Sequence, residues 1–332
     1  MNDEDFNKLF QSFSSLKIGV IGDVMLDTYW WGKVDRISPE APVPVVAVSK
    51  KEQRIGGAGN VALNVVALGA TIHAISIVGN DDEGKQLLSL LNDNKINTDF
   101  IATSHERITT NKIRIISRNQ HMMRLDAEVV TALSSAEEEK IITAFAEYVN
   151  REKPNLVILE DYNKGVLTEK VIETVIVICK ENNILTAVDP KRKNFFAYKG
   201  VDIFKPNMHE VKEALNILGD EVSEKLLGEI HVAIHEKLQH NISFITLSEK
   251  GVFYESGNNK AIIPTHIRSI ADVSGAGDTV IAVAAVVYAA SKNMRLMAEI
   301  ANIAGGLVCE EVGTVAIDKT TLLQECTNLL AV

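Results

Sequence analysis

The stretch Asp272-Val273-Ser274-Gly275-Ala276-Gly277-Asp278, followed by the apolar run from Thr279 to Ala290, decides how this chain reads. The apolar run predicts a long buried helix, and three small residues open it. Glycines there let bare backbone N–H groups approach a ligand closely. A helix start also carries unpaired donors and the positive end of the dipole, which suits an anion such as phosphate. Asp278 then sets a carboxylate inside an anion site. A carboxylate in a first turn can equally cap its own helix, so this stretch alone leaves capping and chemistry balanced.

Working outward, short apolar runs alternate with helix-length segments. Strands are expected at 17–21, 71–78, 155–159, 184–188, 201–204 and 242–247. Helices are expected at 61–68, 83–92, 136–150, 168–181, 210–218 and 223–240. This alternation predicts an α/β fold with a doubly wound, mostly parallel sheet. In such sheets ligands bind beyond the C-terminal strand ends. Asp23, Asn80, Asp161, Asp189, Asn207 and Ser248 then share one rim, which Asp278 can join. Two segments break the pattern. The region 28–50 is extended and carries Pro39, Pro42 and Pro44, which favour sheet edges; the region 100–126 alternates like a strand and carries Arg107, Arg114, Arg118 and Arg124. Both predict a small accessory β-sheet forming a lid over the rim, an outgrowth of one domain covering 1–332.

Composition narrows the class. The chain has 332 residues, 46% hydrophobic and 23% charged, enough for a large core in a soluble globular protein. The net charge of −10 and the lack of a basic stripe argue against nucleic acid as a partner. An anionic ligand must then be held locally, against the overall field. Cys179, Cys309 and Cys326 are scattered and form no metal or redox pair, which fits a cytoplasmic setting. The acidic N-terminus is no signal peptide. The longest apolar run falls well short of the roughly 20 residues that span a bilayer, so no membrane association is expected.

Three motifs mislead. Gly79 to Gln86 nearly matches a phosphate loop, but Gln86 replaces the hydroxyl that would bind Mg²⁺. Gly57-Ala58-Gly59-Asn60-Val61-Ala62 fits a loose dinucleotide fingerprint and supports a different class, a dinucleotide-dependent oxidoreductase. Against that reading, polar residues 49–54 stand where a buried first strand should lead in. His235-Glu236…His240 has one residue too many for a zinc motif, and five helical steps put its histidines on different faces. A solvated helix face is expected there.

Taken together, Gly56 to Gly69, Asn207-Met208-His209-Glu210 and Asp272 to Thr279 resemble, in order, the motifs of the ribokinase-like (PfkB) carbohydrate kinases. Within that family, Gly22 to Gly32, Arg36 to Val45, Arg114 to Asp126, Asp161 to Gly165 and Asp189 to Lys191 are similar to the heptose-7-phosphate kinase subgroup. Gly59 departs from the alanine expected there, a change expected to leave the loop intact. The resemblance implies an ATP- and Mg²⁺-dependent kinase. Its substrate would be D-glycero-D-manno-heptose 7-phosphate, phosphorylated on O1 on the route to ADP-heptose for lipopolysaccharide. Many such enzymes carry a fused nucleotidyltransferase. No H-x-G-H motif stands here, so the kinase alone is expected, with a separate nucleotidyltransferase acting downstream. Related kinases also pair through their lids, so a homodimer is expected.

The resemblance also implies roles. Asp278 is the base for the sugar hydroxyl, kept ionised by the helix dipole. The N–H groups of Gly275, Ala276 and Gly277 stabilise the transferring phosphoryl group. Asp23, Gly57, Asn60 and Asp161 lie at the sugar. Asn207, Met208, His209 and Glu210 lie at the nucleotide, with Glu210 reaching Mg²⁺ through water; N-x-x-E is also a helix-cap signature. Ser248, Lys250, Gly251 and Asn302 complete the nucleotide site. Arg118, Arg124, Lys164 and Lys191 are the candidates to grip the substrate's phosphate.

Overall fold

Runs too short for a helix and rich in Val and Ile become strands buried on both faces, as parallel sheets require. The computed structural model describes residues 2–331 except 119, 220, 221 and 267. Its strands are β1 (Lys17–Gly22), β2 (Val24–Ile37), β3 (Pro44–Gly57), β4 (Thr71–Gly79), β5 (Asn97–Ser104), β6 (Asn111–Ser117), β7 (Gln120–Ala127), β8 (Leu156–Glu160), β9 (Leu185–Asp189), β10 (Ile203–Phe204), β11 (Ile242–Thr246), β12 (Val252–Ser256) and β13 (Asn259–Ile263). The helices are α1 (Asp3–Ser12), α2 (Ala58–Leu68), α3 (Asp82–Asp93), α4 (Ser135–Glu152), α5 (Glu169–Glu181), α6 (Met208–Leu215), α7 (Glu224–Leu238), α8 (Ala276–Ser291), α9 (Met294–Val308) and α10 (Lys319–Leu330).

Among the described residues the main sheet has nine strands in the order β13-β12-β11-β10-β9-β8-β1-β4-β5. The strands from β11 to β5 in that order pair in parallel, and β12 and β13 extend the sheet antiparallel. From β1 the chain builds outward through β4 on one side and through β8 on the other. The strand order therefore reverses between β1 and β8, and a crevice opens beyond their C-terminal ends. One core lies under α1, α2, α8 and α9, and the other under α4, α5 and α7. The alanine- and valine-rich α8 is buried along most of its length, so its first turn is set rigidly at the crevice. No helix among the described residues is long and apolar enough to cross a membrane.

A second sheet, ordered β3-β2-β6-β7, stands over the crevice. It takes in more of the chain at its first hairpin than 28–50, because β2 starts at Val24 and β3 runs to Gly57. It takes in less than 100–126, because β5 pairs with β4 and buries Phe100 in the main sheet. Alternation says that a segment is a strand; only pairing says in which sheet.

Two further readings change. Gly57-x-Gly59 follows β3, a lid strand, and not β1, which removes the structural basis of the dinucleotide alternative. Of the histidines at 231, 235 and 240, His235 is exposed as expected, with Glu236 and Lys237, but His231 and His240 are buried. The helix ends at Leu238 and Gln239 turns left-handed, so the chain folds back on itself. The three imidazoles then meet at centroid separations of 5.5–5.7 Å, with His231 and His240 bonded to the Ser243 hydroxyl and His235 to the His240 carbonyl.

Candidate active site

The polar strand ends converge where the topology places the crevice. Gly275 takes a left-handed φ of 79° to start α8, which brings Asp278 into the first turn. A Cβ on Gly275 would stand 2.8 Å from Asn60 Nδ2, so only glycine lets this turn sit so near α2. Asp278 is buried. Its Oδ2 accepts from Asn60 Nδ2 at 2.7 Å and its Oδ1 from the Tyr162 hydroxyl at 2.6 Å. Burial pushes the carboxyl up to about 6 despite both donors, with Asp189 adding repulsion. The helix dipole therefore does not dominate at Asp278. Desolvation of the charged form outweighs it, and the group titrates near neutrality instead of near 4.

Tyr162 was not among the residues singled out from sequence. It stands two residues past β8 inside a motif that was read for Asp161 and Lys164. Lys112 and Lys191 flank its ring at 5.4 and 5.6 Å from the centroid. The conformation of its loop depends on Asp23, whose carboxylate accepts from the backbone N–H groups of Tyr162, Lys164 and Val166 at 2.8–3.1 Å. Asp23 thus positions the 162–166 loop through both of its carboxylate oxygens. Asp161 likewise turns inward, accepting from Asn163 N and the Tyr198 hydroxyl, and burial lifts it to about 6. Gly57 starts α2 with φ 60°; a Cβ there would come within 2.3 Å of the Asp23 carbonyl.

Next to Asp278 lies a dense set of charges at the ends of β8, β9 and β10. Ligand atoms of Glu160, Asp189 and Asp278 all lie within 4.8 Å of one another. Lys205 Nζ is 2.8 Å from Asp189 Oδ2, and Lys191 Nζ is 3.2 Å from Asp189 Oδ1 and 2.7 Å from Glu210 Oε1. These ammonium groups hold the Asp189 carboxyl below its ordinary value despite full burial. Glu160 is fully buried and neither of its oxygens has a partner among the described residues. Burial first, then Asp189 and Asp278, raise its carboxyl well above the ordinary range. Sequence reasoning passed over Glu160 and Lys205 as strand ends. Only the parallel register sets Glu160 beside Asp189.

The nucleotide candidates fall on the same rim but differ in what they do. Asn207 caps α6 with its side chain on Glu210 N, and Glu210 Oε2 returns to Asn207 N, both at 2.8 Å. With its other oxygen on Lys191, Glu210 is a capping-box residue and its metal role loses support. Met208 is half-buried and His209 is exposed in the first turn of α6. Asn207 bridges to Thr246, which brings Ser248, Lys250 and Gly251 alongside. Asn302 Nδ2 donates to the Pro264 carbonyl and so fixes the strand-to-loop exit above Gly251.

The four phosphate-grip candidates are not brought together. Arg118 is exposed at the lid's far turn, 4.0 Å from Asp35. Arg124 is engaged by Asp126 through two bonds. Lys164 pairs with Glu128 at 2.8 Å, and Lys191 is held by Asp189 and Glu210. At the foot of the lid Asp27 is buried and paired with Arg114, neither of them chosen from sequence.

Residues 15–321 match the family model described as pfkB family carbohydrate kinase. The chain therefore belongs to this family and is a phosphotransferase acting on a sugar hydroxyl, with ATP as the phosphoryl donor that kinase chemistry implies. It is 39% identical over 310 residues to the bifunctional protein HldE of Sulfurimonas denitrificans, and 40% identical over 306 residues to that of Aliarcobacter butzleri. Those alignments take in 93% and 92% of this chain but 64% and 62% of the relatives, so the chain spans less than two thirds of their length. The fold resembles phosphofructokinase-2 of Escherichia coli, with a TM-score of 0.77 at 17% identity, covering 94% of this chain and 98% of that one. It also resembles an Arabidopsis thaliana ribokinase solved with ribose and ATP, with a TM-score of 0.72 at 16% identity, covering 93% of this chain and 99% of that one.

Proposed function

We propose that this kinase transfers the γ-phosphoryl group of ATP to O1 of D-glycero-D-manno-heptose 7-phosphate, giving the 1,7-bisphosphate on the route to ADP-heptose. The observation that carries the chemistry is Asp278, seated in the first turn of α8, oriented by Asn60 and Tyr162 and titrating at about 6. The identity of the sugar rests on the motif resemblance and on the relatives named HldE.

In this reading Asp278 accepts the proton of the sugar O1–H. The oxygen's electron pair forms the new bond to the γ-phosphorus while the bond to the leaving ADP oxygen breaks. A base titrating at about 6 is mostly ionised at neutral pH and still basic enough to take the proton. The N–H groups of Gly275, Gly277 and Asp278 at the opening of α8 lack helical carbonyls one turn back and face charge on the transferring group, while that of Ala276 donates to the Val273 carbonyl at 3.3 Å. Lys205 supports them; its Nζ is 4.0 Å from where a Gly277 Cβ would be.

Mg²⁺ belongs to this reading as well. Glu160 and Asp189, beside Asp278, offer hard oxygen donors within one ion's reach, and the Glu160 carboxylate has no other partner among the described residues. That donor set suits Mg²⁺. When bound, the ion offsets charge on the phosphate chain. The exposed strand β7 and the apolar Ile37, Met122, Met123 and Leu125 on the lid support pairing of two chains there. Downstream, a nucleotidyltransferase would take the product.

An ADP-release assay over a panel of sugars and sugar phosphates tests the proposal. Highest kcat/KM on the heptose 7-phosphate is the expected outcome. A better substrate elsewhere in the panel would move the assignment to a pfkB kinase for that sugar.

A further inference from the structure

The chain crosses between the main sheet and the lid at Asp23, between β1 and β2, and after Gly57, between β3 and α2. It crosses again at 105–110, between β5 and β6, and at 128–134, between β7 and α4. Arg107 stands on the third of these crossings, at the root of the lid and not on its strands. Its side chain is half-buried and spans three backbone carbonyls. Nη1 donates to Thr131 O at 3.0 Å, and Nη2 donates to Val129 O at 3.4 Å and to Lys164 O. A planar guanidinium suits such a bridge, because its N–H groups point in fixed directions and carry charge into each bond. Two of the carbonyls lie on the crossing that leaves the lid. The third lies on the loop that carries Tyr162.

The same loop is held from two other crossings. Asp23 accepts from its N–H groups at Tyr162, Lys164 and Val166. Lys164 Nζ pairs with Glu128 at 2.8 Å, and Leu133 N donates to the Gly165 carbonyl at 3.2 Å. Arg107 also supports the Asp23 grip, because burial raises that carboxyl and the Arg107 charge is among the groups opposing the rise. What the loop delivers is the Tyr162 hydroxyl, 2.6 Å from Asp278 Oδ1. Asn60 holds the other oxygen at 2.7 Å, so the two donors together set the plane of the carboxylate. Hydrogen bonds weaken steeply away from their preferred geometry. A small displacement of the 162–166 loop is therefore felt at Asp278.

We propose that Arg107 is a positioning residue for phosphoryl transfer. By bridging the lid's exit at Val129 and Thr131 to the Lys164 carbonyl, it holds Tyr162 where its hydroxyl orients the Asp278 carboxylate toward the sugar hydroxyl. This inference rests on the reading of Asp278 as the base. It requires that the effect of Arg107 on turnover pass through the single hydroxyl of Tyr162, which a general support of the fold would not do.

The test is a double-mutant cycle of Arg107→Gln with Tyr162→Phe, assayed with Mg-ATP and the best sugar of the panel. Asp278→Asn is the control. Thermal melts establish that each variant folds, and kcat/KM for the sugar and KM for ATP are read at about pH 6.5. Arg107→Gln alone should lose about tenfold in kcat/KM for the sugar, with the KM for ATP unchanged. In the Tyr162→Phe background the same substitution should cost less than about twofold, because the hydroxyl it positions is gone. Should Arg107→Gln fail to fold, Arg107→Lys keeps the charge, loses the fork and enters the same cycle with the same expectation. Equal losses in both backgrounds, or full activity in the folded Arg107 variant, would overturn the inference alone if Asp278→Asn is inactive. Near-normal turnover in folded Asp278→Asn would overturn the base assignment and this inference with it.

Discussion

Removing the Tyr162 hydroxyl should move the pH dependence of the enzyme in a calculable direction. Asp278 is pushed to about 6 by burial and held from rising further first by Tyr162 and then by Asn60. The Tyr162 bond, at 2.6 Å, goes to the ionised form. A hydrogen bond to a charged acceptor contributes about 1.5–3 kcal/mol, and about 1.4 kcal/mol corresponds to one pH unit. In Tyr162→Phe the acid limb of kcat/KM should therefore climb from about pH 6 to about pH 7–8. At pH 6.5 the variant should be down about tenfold, and at pH 9 nearly restored, because the base itself survives. The assay is kcat/KM for the sugar at saturating ATP between pH 5 and 9. Asp278→Asn is the control, with no limb and a kcat lower by about 10²–10⁴. A folded Tyr162→Phe enzyme whose limb stays in place would refute the assignment of that limb to Asp278.

Other outcomes follow from the same geometry. Glu160→Gln should weaken Mn²⁺ binding, read by electron paramagnetic resonance without nucleotide, by about tenfold or more; Glu210→Gln should leave it nearly unchanged and lower Tm through the lost ion pair with Lys191, since glutamine keeps the cap, and the reverse ranking would restore Glu210 as the metal residue. His240 is pushed down to about 3 by burial and by the neighbouring His231 and His235, against 6.5 when unfolded. The unfolded chain therefore takes up that proton first, and stability should decline as pH falls from 6.5 toward 3, by roughly 2 kcal/mol at pH 5. His240→Asn should flatten that slope in urea titrations, and an unchanged slope would remove the histidine cluster as its cause. Light scattering at tens of micromolar should show a dimer, and Met123→Glu on the exposed lid face should dissociate it; a monomeric parent would count against lid pairing.

Much of this protein was legible in its residues. Local period and turn chemistry set β1, β4, β8 and β9 and the start of α8, because a Gly-Ala-Gly run ahead of a wholly apolar segment has few other uses. The motif order from Gly56 to Asp278 pointed to the family. What sequence left open was pairing and direction. The segment 97–104 alternates as the lid strands do, and only its ladder with β4 places it in the main sheet. Asp23, Asp161, Lys164 and Lys191 stand at or just past strand ends where ligands bind, yet the fold engages them with backbone and hydroxyl donors and partly buried ion pairs. Conversely, Tyr162 and Glu160 became candidates only when β1, β8 and α8 met. A carboxylate's role depends on which donors reach it and how much water remains, and both are fixed by residues more than a hundred positions away, as Asn60 and Tyr162 are from Asp278.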